Sequence, residues 1–287
     1  MGPAGEDLFQ ANNSLVWLLS SKVLYGNRDK EKEEAGALRN QLHLRQQDLL
    51  KVLALPAHPW MVKMVGKLEM DQIPADCIRR LLTISKNEEA RRIFQHAPSL
   101  PARVMRMVYP STLPLFTPSF VEELLSTPMD EMQLAGVEKN LRDGGQWAKR
   151  GETVPGFRNT LQLEKWRWLH GARWGCPEGN EPDHFPAPPF PGTEKILPIR
   201  SPALLKEEGA RLHHCVYSYL KEARQGIVAF YAIFRPERAT LGLRKNRDGS
   251  WRIFDFRCAC NREPSKACRE MVETWFSHST SKKTDNL

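Results

Sequence analysis

Residues 227–257 read IVAFYAIFRPERATLGLRKNRDGSWRIFDFR, and this stretch decides the fold. Three runs rich in β-branched and aromatic residues occupy 227–234, 239–245 and 251–257, and such runs are typical of strands. A proline turn separates the first two runs, and a turn with an Asp-Gly pair separates the last two. Because such short connections join antiparallel neighbours, the stretch predicts a three-stranded antiparallel meander.

Helical patterns flank this meander on both sides. Residues 201–209 predict a helix with Ser201 as its N-cap and a glycine at its end. Residues 213–226 predict a second helix, and residues 266–276 predict a closing helix. Together these elements predict an α+β domain over residues 200–277.

Upstream of this domain, the chain divides by composition. In residues 1–144, apolar residues recur at helical spacing between proline turns, which predicts an irregular helical bundle. Residues 145–175 are basic and rich in tryptophan, and residues 176–199 hold seven of the 21 prolines, which favours an extended linker. We expect residues 278–287 to form a disordered tail. The predicted fold class is therefore α+β, with a helical bundle followed by the helix-flanked meander.

Composition also bears on location. The chain has no run of about 18 apolar residues, so we expect no membrane span and no membrane partner. The N-terminal residues are acidic and lack the basic and apolar regions of a secretory signal, so we expect a cytoplasmic protein. In that reducing compartment the six cysteines would be free thiols or metal ligands rather than disulfides.

The net charge of +8 lies in the second half of the chain. Residues 1–144 hold 18 basic and 18 acidic residues, whereas residues 201–287 hold 16 basic and 10 acidic ones. A basic domain beside a neutral one favours an acidic partner, of which nucleic acid, DNA in the first place, is the commonest. A basic solvated surface without such a partner is the alternative.

Six basic residues are candidates for phosphate contacts. Two lie among the tryptophans of residues 145–175, where rings and cations together could bind single-stranded nucleic acid or the rings could pack in a core. The others flank the second hairpin and the last loop of the meander. The six are Lys165, Arg167, Arg244, Lys245, Arg247 and Arg262.

Several short motifs are spread through the C-terminal domain. They are Glu208-Gly209, His214-Cys215-Val216 with Tyr219, Ala239-Thr240-Leu241, Trp251, and Arg257 followed by Asn261-Arg262. On these motifs, residues 200–276 resemble the PcfJ-like family, whose members are encoded on conjugative plasmids, integrative elements and phages. The resemblance implies a mobile-element context and an accessory role in DNA transfer. In one departure, Cys258 stands where the family usually has a glycine, and cysteine tolerates a positive φ poorly, so we expect a changed loop backbone.

Residues 213–219, HHCVYSY, concentrate reactive side chains and admit three interpretations. In the first, Cys215 is a nucleophile in the first turn of its helix, where the helix dipole lowers a thiol pKa. His214 would point about 100° away from it, so groups at the end of the third strand and in the next loop would complete the site. The candidate catalytic residues are His214, Cys215, Arg257 and Asn261, and the supporting ones are Glu208, Tyr219, Thr240 and Asp255.

In the second interpretation, Cys215, Cys258, Cys260 and a histidine bind zinc. Structural zinc sites generally space their cysteines two to four residues apart, so the one-residue gap between Cys258 and Cys260 argues against a metal. In the third, Cys215 packs with Val216 and Tyr219 in a buried stripe. The chain has neither a P-loop nor a dinucleotide glycine motif, so we expect no cofactor.

The sequence therefore favours an accessory of conjugative DNA transfer or processing that binds nucleic acid through its basic C-terminal half. One alternative is a Cys/His-dependent enzyme, nuclease- or hydrolase-like, centred on the His-Cys motif. The other alternative is an adaptor whose N-terminal helices bind further transfer proteins.

Overall fold

The computed structural model describes residues 3–24, 31–69, 76–174 and 184–284. Residues 175–183, which include the first part of the predicted linker, lie outside these ranges. The chain forms two compact units, Met1–Glu164 and Lys165–Leu287. No helix in the described ranges is long and apolar enough to cross a membrane. The domain boundaries expected from composition stay predictions.

The first unit is built from helices. They are α1 (Pro3–Leu24), α2 (Glu31–Arg39), α3 (Gln46–Val52), α4 (Pro59–Val65), α5 (Cys77–Ser85), α6 (Glu88–His96), α7 (Ala102–Met105), α8 (Pro118–Ser126) and α9 (Glu131–Lys149), and α10 (Thr160–Trp174) follows. Asn87 is the N-cap of α6, since its Oδ1 accepts a hydrogen bond from the Ala90 N–H at 2.8 Å. Fully buried Leu15, Phe94 and Phe120 belong to the apolar core of this unit.

The second unit carries a four-stranded antiparallel sheet in the order β1-β2-β3-β4. The strands are β1 (Ile196–Pro198), β2 (Val228–Ile233), β3 (Ala239–Lys245) and β4 (Trp251–Cys258). Its helices are α11 (Pro202–Leu212), a 3-10 helix (Val216–Tyr219), α12 (Leu220–Arg224) and α13 (Lys266–Thr284). The α+β class and the three predicted strands are confirmed.

The predicted number of three strands is wrong, because β1 adds a fourth. It pairs with Tyr231–Ile233 of β2 and lies inside the segment 176–199 that the prolines predict to be a linker. Three residues that end in Pro198 show no alternation that a sequence pattern could reveal. Proline is tolerated at the edge of a sheet, and this is where β1 lies.

Two helices run further than the sequence predicts. α11 continues past Gly209 to Leu212, and α13 continues to Thr284, within the segment predicted as a disordered tail. Glycine inside a helix costs only about 1 kcal/mol relative to alanine, so the contacts of α11 outweigh its low propensity. Residues 285–287 lie outside the described part of the chain.

The two faces of the sheet have different roles. Tyr231, Leu241 and Leu243 alternate onto one face and belong to a buried apolar cluster with Val272 and Trp275 of α13. The same alternation directs Phe230 and Thr240 to the opposite face, where they meet residues of α11 and of the 3-10 helix. This second face carries the predicted site residues.

A bulge shapes the second face. The register shifts between Gly242 and Leu243, and Phe254 is the extra residue of β4. The Phe254 ring packs against those of Tyr219 and Phe230, with centroids 5.5 and 6.0 Å away. We call the rings of Tyr219, Phe230 and Phe254 the aromatic cluster. A β carbon on Gly242 would lie 2.7 Å from Cε1 of Phe254, so the rings of Phe254 and Phe230 occupy the space that a side chain would need.

Candidate functional site

A buried carboxylate, Glu208 on α11, connects this helix to the second face of the sheet. Its side chain is fully buried and receives hydrogen bonds from three residues. Nη1 and Nη2 of Arg238 lie 3.1 and 2.7 Å from its two oxygens. Oγ1 of Thr240 donates at 2.7 Å, and Nε1 of Trp168 donates at 2.9 Å. Such charge-assisted hydrogen bonds stabilise an ionised carboxylate in a site that water does not reach.

Thr240 connects this carboxylate to His214. Nε2 of His214 lies 2.9 Å from Oγ1 of Thr240. A hydroxyl has one proton, and Thr240 donates it to Glu208, so the hydroxyl oxygen can only accept a hydrogen bond from His214. In the neutral ring, Nε2 therefore carries the hydrogen and Nδ1 carries the lone pair. Nδ1 is buried and has no hydrogen-bond partner among the described residues.

The loop that presents His214 folds back on α11. His213 closes the helix in the left-handed region, with φ 52°, and the His214 N–H donates to the Gly209 carbonyl at 3.2 Å. A β carbon on Gly209 would lie only 3.1 Å from the His214 carbonyl oxygen. The acidic-glycine step thus has two structural roles: Glu208 anchors the hydrogen-bond chain, and Gly209 lets the loop approach.

His214 lines a shallow groove on the second face, which we call the His214 cleft. Its walls are formed by His214, Cys215, Val216, Phe230, Thr240, Gly242, Asp255, Arg257 and Asn261. The cavity volume is about 10 Å³, close to the minimum that holds one water molecule. The four candidate catalytic residues therefore meet in one cleft, together with Thr240 and Asp255. Of the other two supporting residues, Tyr219 packs in the aromatic cluster and Glu208 lies behind Thr240.

Arg257 is held in the cleft by two carboxylates. Its Nε lies 3.3 Å from Oδ1 of Asp255, and its Nη1 contacts Oε1 of Glu263. The side chain is 39% exposed, so it remains accessible to a ligand at the mouth of the cleft. Arg257 and His214 thus line the same cleft.

The loop after β4 adopts its unusual backbone conformation later than the sequence analysis predicts. Cys258 is extended, with φ −87°, so no glycine is needed there. The left-handed conformations fall on Cys260 and Asn261, with φ 54° and 58°. Asparagine tolerates this region better than most residues, and here it turns the Asn261 side chain into the lining of the cleft.

The predicted single helix over 213–226 is wrong. The 3-10 helix begins at Val216 and α12 only at Leu220, because the left-handed His213 and the bond from His214 to Thr240 fix the chain before a regular helix can start. Cys215 is the N-cap of the four-residue 3-10 helix, so it does not lie in the first turn of a regular helix as predicted. It is also exposed, so the buried-stripe interpretation is wrong for Cys215 as well.

The cysteines of the zinc interpretation have different surroundings. Cys258 is buried, and burial raises the pKa of its thiol to about 11, whereas Cys260 is exposed. Among the residues that the structure describes, no group of three His, Cys, Asp or Glu side chains is close enough to hold a metal ion. Cys176 lies outside the described residues.

The candidate phosphate-binding residues differ in their ion pairing and exposure. Arg167, Arg244 and Arg262 form ion pairs with Glu207, Glu222 and Glu237, at 3.2, 2.7 and 2.9 Å. Lys245 and Arg247 are exposed at the second hairpin, and in the described ranges no carboxylate pairs with them. Lys165 is half-buried on α10. The hairpin therefore offers the more available cations.

The predicted site residues do not include two partners of Glu208, Arg238 and Trp168. Arg238 stands two positions before Thr240, a spacing that puts both side chains on one face of a strand and could have pointed to it. Trp168 is 40 positions from Glu208, and no local pattern signals that contact.

Comparisons with known proteins give one match, and it lies in the C-terminal unit. No curated protein matches the chain, and no solved structure matches it. One family model does match, over a segment that contains both the His214 cleft and the bonds from Glu208 through Thr240 to His214. The resemblance inferred from the motifs is thereby confirmed: residues 191–272 match the family model described as PcfJ-like protein.

Proposed function

We propose that the C-terminal unit carries a histidine-dependent acid–base centre that hydrolyses nucleic acid. The observation that supports this most directly is the unpartnered Nδ1 of His214 in a cleft, behind which Thr240 and Glu208 fix the ring. Histidine is the commonest general base, and a carboxylate that orients its second nitrogen is a recurring feature of such sites.

The proposed reaction needs only groups that line the cleft. Nδ1 of His214 takes a proton from water, and the water oxygen attacks the phosphorus of a phosphodiester. The bond from phosphorus to the leaving oxygen breaks, and the imidazolium returns the proton to that oxygen. Arg257 and Asn261 would stabilise the charge on the phosphoryl oxygens as it develops. Cys215 lines the same cleft and is the alternative nucleophile.

A binding role without chemistry is the second candidate, and the exposed Lys245 and Arg247 favour it. Two cations on one hairpin suit contacts with phosphates, which carry no sequence information. With the mobile-element context that the PcfJ-like resemblance implies, either role would make this protein an accessory of conjugative DNA transfer or processing. Transfer proteins bound through the N-terminal helices would be its further partners.

Labelled single- and double-stranded DNA and RNA, incubated with the protein and Mg²⁺ across a salt series, test both roles. The variants are His214→Ala, Cys215→Ala and, as a matched control, His213→Asn, because asparagine tolerates the left-handed backbone of position 213. Cleavage that is lost only in His214→Ala supports the acid–base centre, and cleavage that persists in it refutes the centre. Salt-dependent gel shifts without cleavage, equal in all variants, support binding alone.

A further inference from the structure

A second cavity in the C-terminal unit shares only Phe230 with the His214 cleft. Its volume is about 290 Å³, at the lower end of the roughly 300–1,000 Å³ of small-molecule sites. Residues 185–188, the turn after α12, the start of β2 and the second hairpin all contribute to its walls. A space of this size suits one small ligand rather than a long one.

The cavity lies beside the part of β2 that β1 does not cover. β1 pairs with Tyr231–Ile233, whereas Val228 and Ala229 line the cavity. The Phe230 carbonyl accepts a hydrogen bond from the Ile199 N–H at 2.8 Å, and before that residue no strand of the described ranges lies on this side of β2. Backbone groups that point outward from such a sheet edge can bond a ligand. The edge of a nucleobase offers the matching donors and acceptors.

The remaining walls combine an aromatic ring and proline rings with one side-chain amide. Trp251 contributes an aromatic ring, Pro186 packs over Gly226, and Gln225 supplies a polar side chain. The ring of Phe230, by contrast, packs in the aromatic cluster described above. Apolar walls with few polar groups are typical of small-ligand sites, and aromatic rings stack on bases whatever their sequence.

The lining of the cavity includes one cation, which favours an anionic ligand. Lys245 lines the cavity, and Arg247 follows two positions along the same hairpin. Both side chains are exposed, and within the described ranges no carboxylate is paired with either. An apolar space with an unpaired cation at its rim matches a base that carries a phosphate.

From these observations we infer that the cavity binds one nucleotide of a single-stranded nucleic acid, with the base between the apolar walls and its phosphate at Lys245. The inference rests on the proposed function, because it assumes the same substrate class, and it adds the place where the strand is held. Phe230 lines both this cavity and the His214 cleft, so the two are neighbours in the C-terminal unit.

Titration calorimetry on the full chain tests the inference with defined probes. These are adenosine and uridine monophosphate, uridine, inorganic phosphate, a short oligothymidylate, and an alternating Val-Thr hexapeptide that would add to the open edge of β2. We expect the nucleotides and the oligonucleotide to bind and inorganic phosphate and the peptide not to bind. Binding by the peptide alone would overturn the inference in favour of a strand-addition site.

Two variants and one control locate the binding. Lys245→Gln should weaken nucleotide binding at least about tenfold and lower the salt slope for the oligonucleotide by about 0.7. Ala187→Leu, at an exposed residue of the cavity wall, should weaken it by narrowing the space. Lys221→Gln, at an exposed lysine of α12 that does not line the cavity, should have no effect.

The same titrations on His214→Ala separate this inference from the proposed function. Nucleotide binding that is unchanged in His214→Ala supports the cavity even if no cleavage is ever seen. Two results overturn the nucleotide site and leave the acid–base centre in place. One is cleavage by the wild type without nucleotide binding, and the other is cleavage with nucleotide binding that Lys245→Gln and Ala187→Leu do not weaken.

Discussion

Nε2 of His214 and Oγ1 of Thr240 lie 2.9 Å apart, and the only proton of that hydroxyl is donated to Glu208. The direction of each hydrogen bond follows from the carboxylate, which can only accept. A buried charge on α11 thus decides which nitrogen of the neutral His214 ring carries the hydrogen and which carries the lone pair.

Replacing Thr240 tests this assignment. ¹⁵N NMR of the imidazole should find the neutral wild-type His214 protonated at Nε2. Thr240→Val removes the acceptor while keeping the shape, so it should release the ring to a mixture of tautomers and reduce any His214-dependent turnover. Thr240→Ser keeps the hydroxyl and should restore both properties. A wild-type ring protonated at Nδ1 would contradict the assignment.

Arg238→Met should destabilise the C-terminal unit strongly. The Arg238 and Glu208 side chains are 15% and 0% exposed, and the substitution leaves a buried carboxylate without its main counter-charge. We expect a loss of about 3–5 kcal/mol in the free energy of unfolding, measured by urea denaturation. Lys266→Met, in the exposed pair with Glu270, is the control and should cost less than about 1 kcal/mol. Equal losses in the two variants would contradict the role given to burial.

Glu237 should make the protein sensitive to acid. Burial alone would raise its pKa, but hydrogen bonds from Ser265, Arg262 and Cys258 outweigh this and lower the pKa from 4.5 to about 2. Because the pKa of Glu237 is lower in the folded than in the unfolded protein, these bonds stabilise the folded state fully above about pH 4.5. Their contribution to the free energy of unfolding is lost as the pH falls towards 2.

Glu237→Gln checks that pH dependence by urea denaturation from pH 7 to pH 2. The variant should lose about 2 kcal/mol at neutral pH and show a flatter decline in stability below pH 4.5. Glu270→Gln, at an exposed ion pair, should stay within about 0.5 kcal/mol of the wild type at pH 7. A Glu237→Gln curve parallel to that of the wild type would be evidence against the shifted carboxylate.

Gly242→Ala and Gly136→Ala should change stability in opposite directions. The new β carbon at position 242 would meet Cε1 of Phe254 at 2.7 Å, so we expect a loss of about 1–3 kcal/mol. Gly136 lies exposed in α9 with nothing within 4 Å, and alanine there should add about 1 kcal/mol through helix propensity. Thermal unfolding compares the two, and a neutral Gly242→Ala would show that the aromatic cluster yields.

Cysteine alkylation should follow burial. Cys215 and Cys260 are exposed, whereas burial raises the pKa of Cys258 and Cys268 to about 11 and that of Cys77 to about 12. Iodoacetamide at pH 8 should therefore label the two exposed thiols first, read by mass spectrometry of the digested protein. In urea all of them should react. Labelling of Cys258 as fast as Cys215 in the folded protein would contradict this order.

The sequence predicts those parts of the second unit that depend on local patterns. Alternation and β-branched runs reveal β2 to β4, and the motifs bring His214, Arg257 and Asn261 to one place. What it does not predict depends on distant contacts. Glu208 binds Arg238 and Trp168 across 30 and 40 positions, and the helix after His213 is delayed because a side chain from β3 holds the loop. Such contacts exist only once the chain has folded.

The indole of Trp168 donates to Glu208 at 2.9 Å, and its ring packs edge-on against Phe234 at 5.6 Å. Yet the family match begins only at residue 191. A fragment cut at that border would expose an aromatic ring and remove one donor from a buried charge. The family match and the compact unit that begins at Lys165 therefore have different borders, and a recombinant domain should start upstream of Lys165.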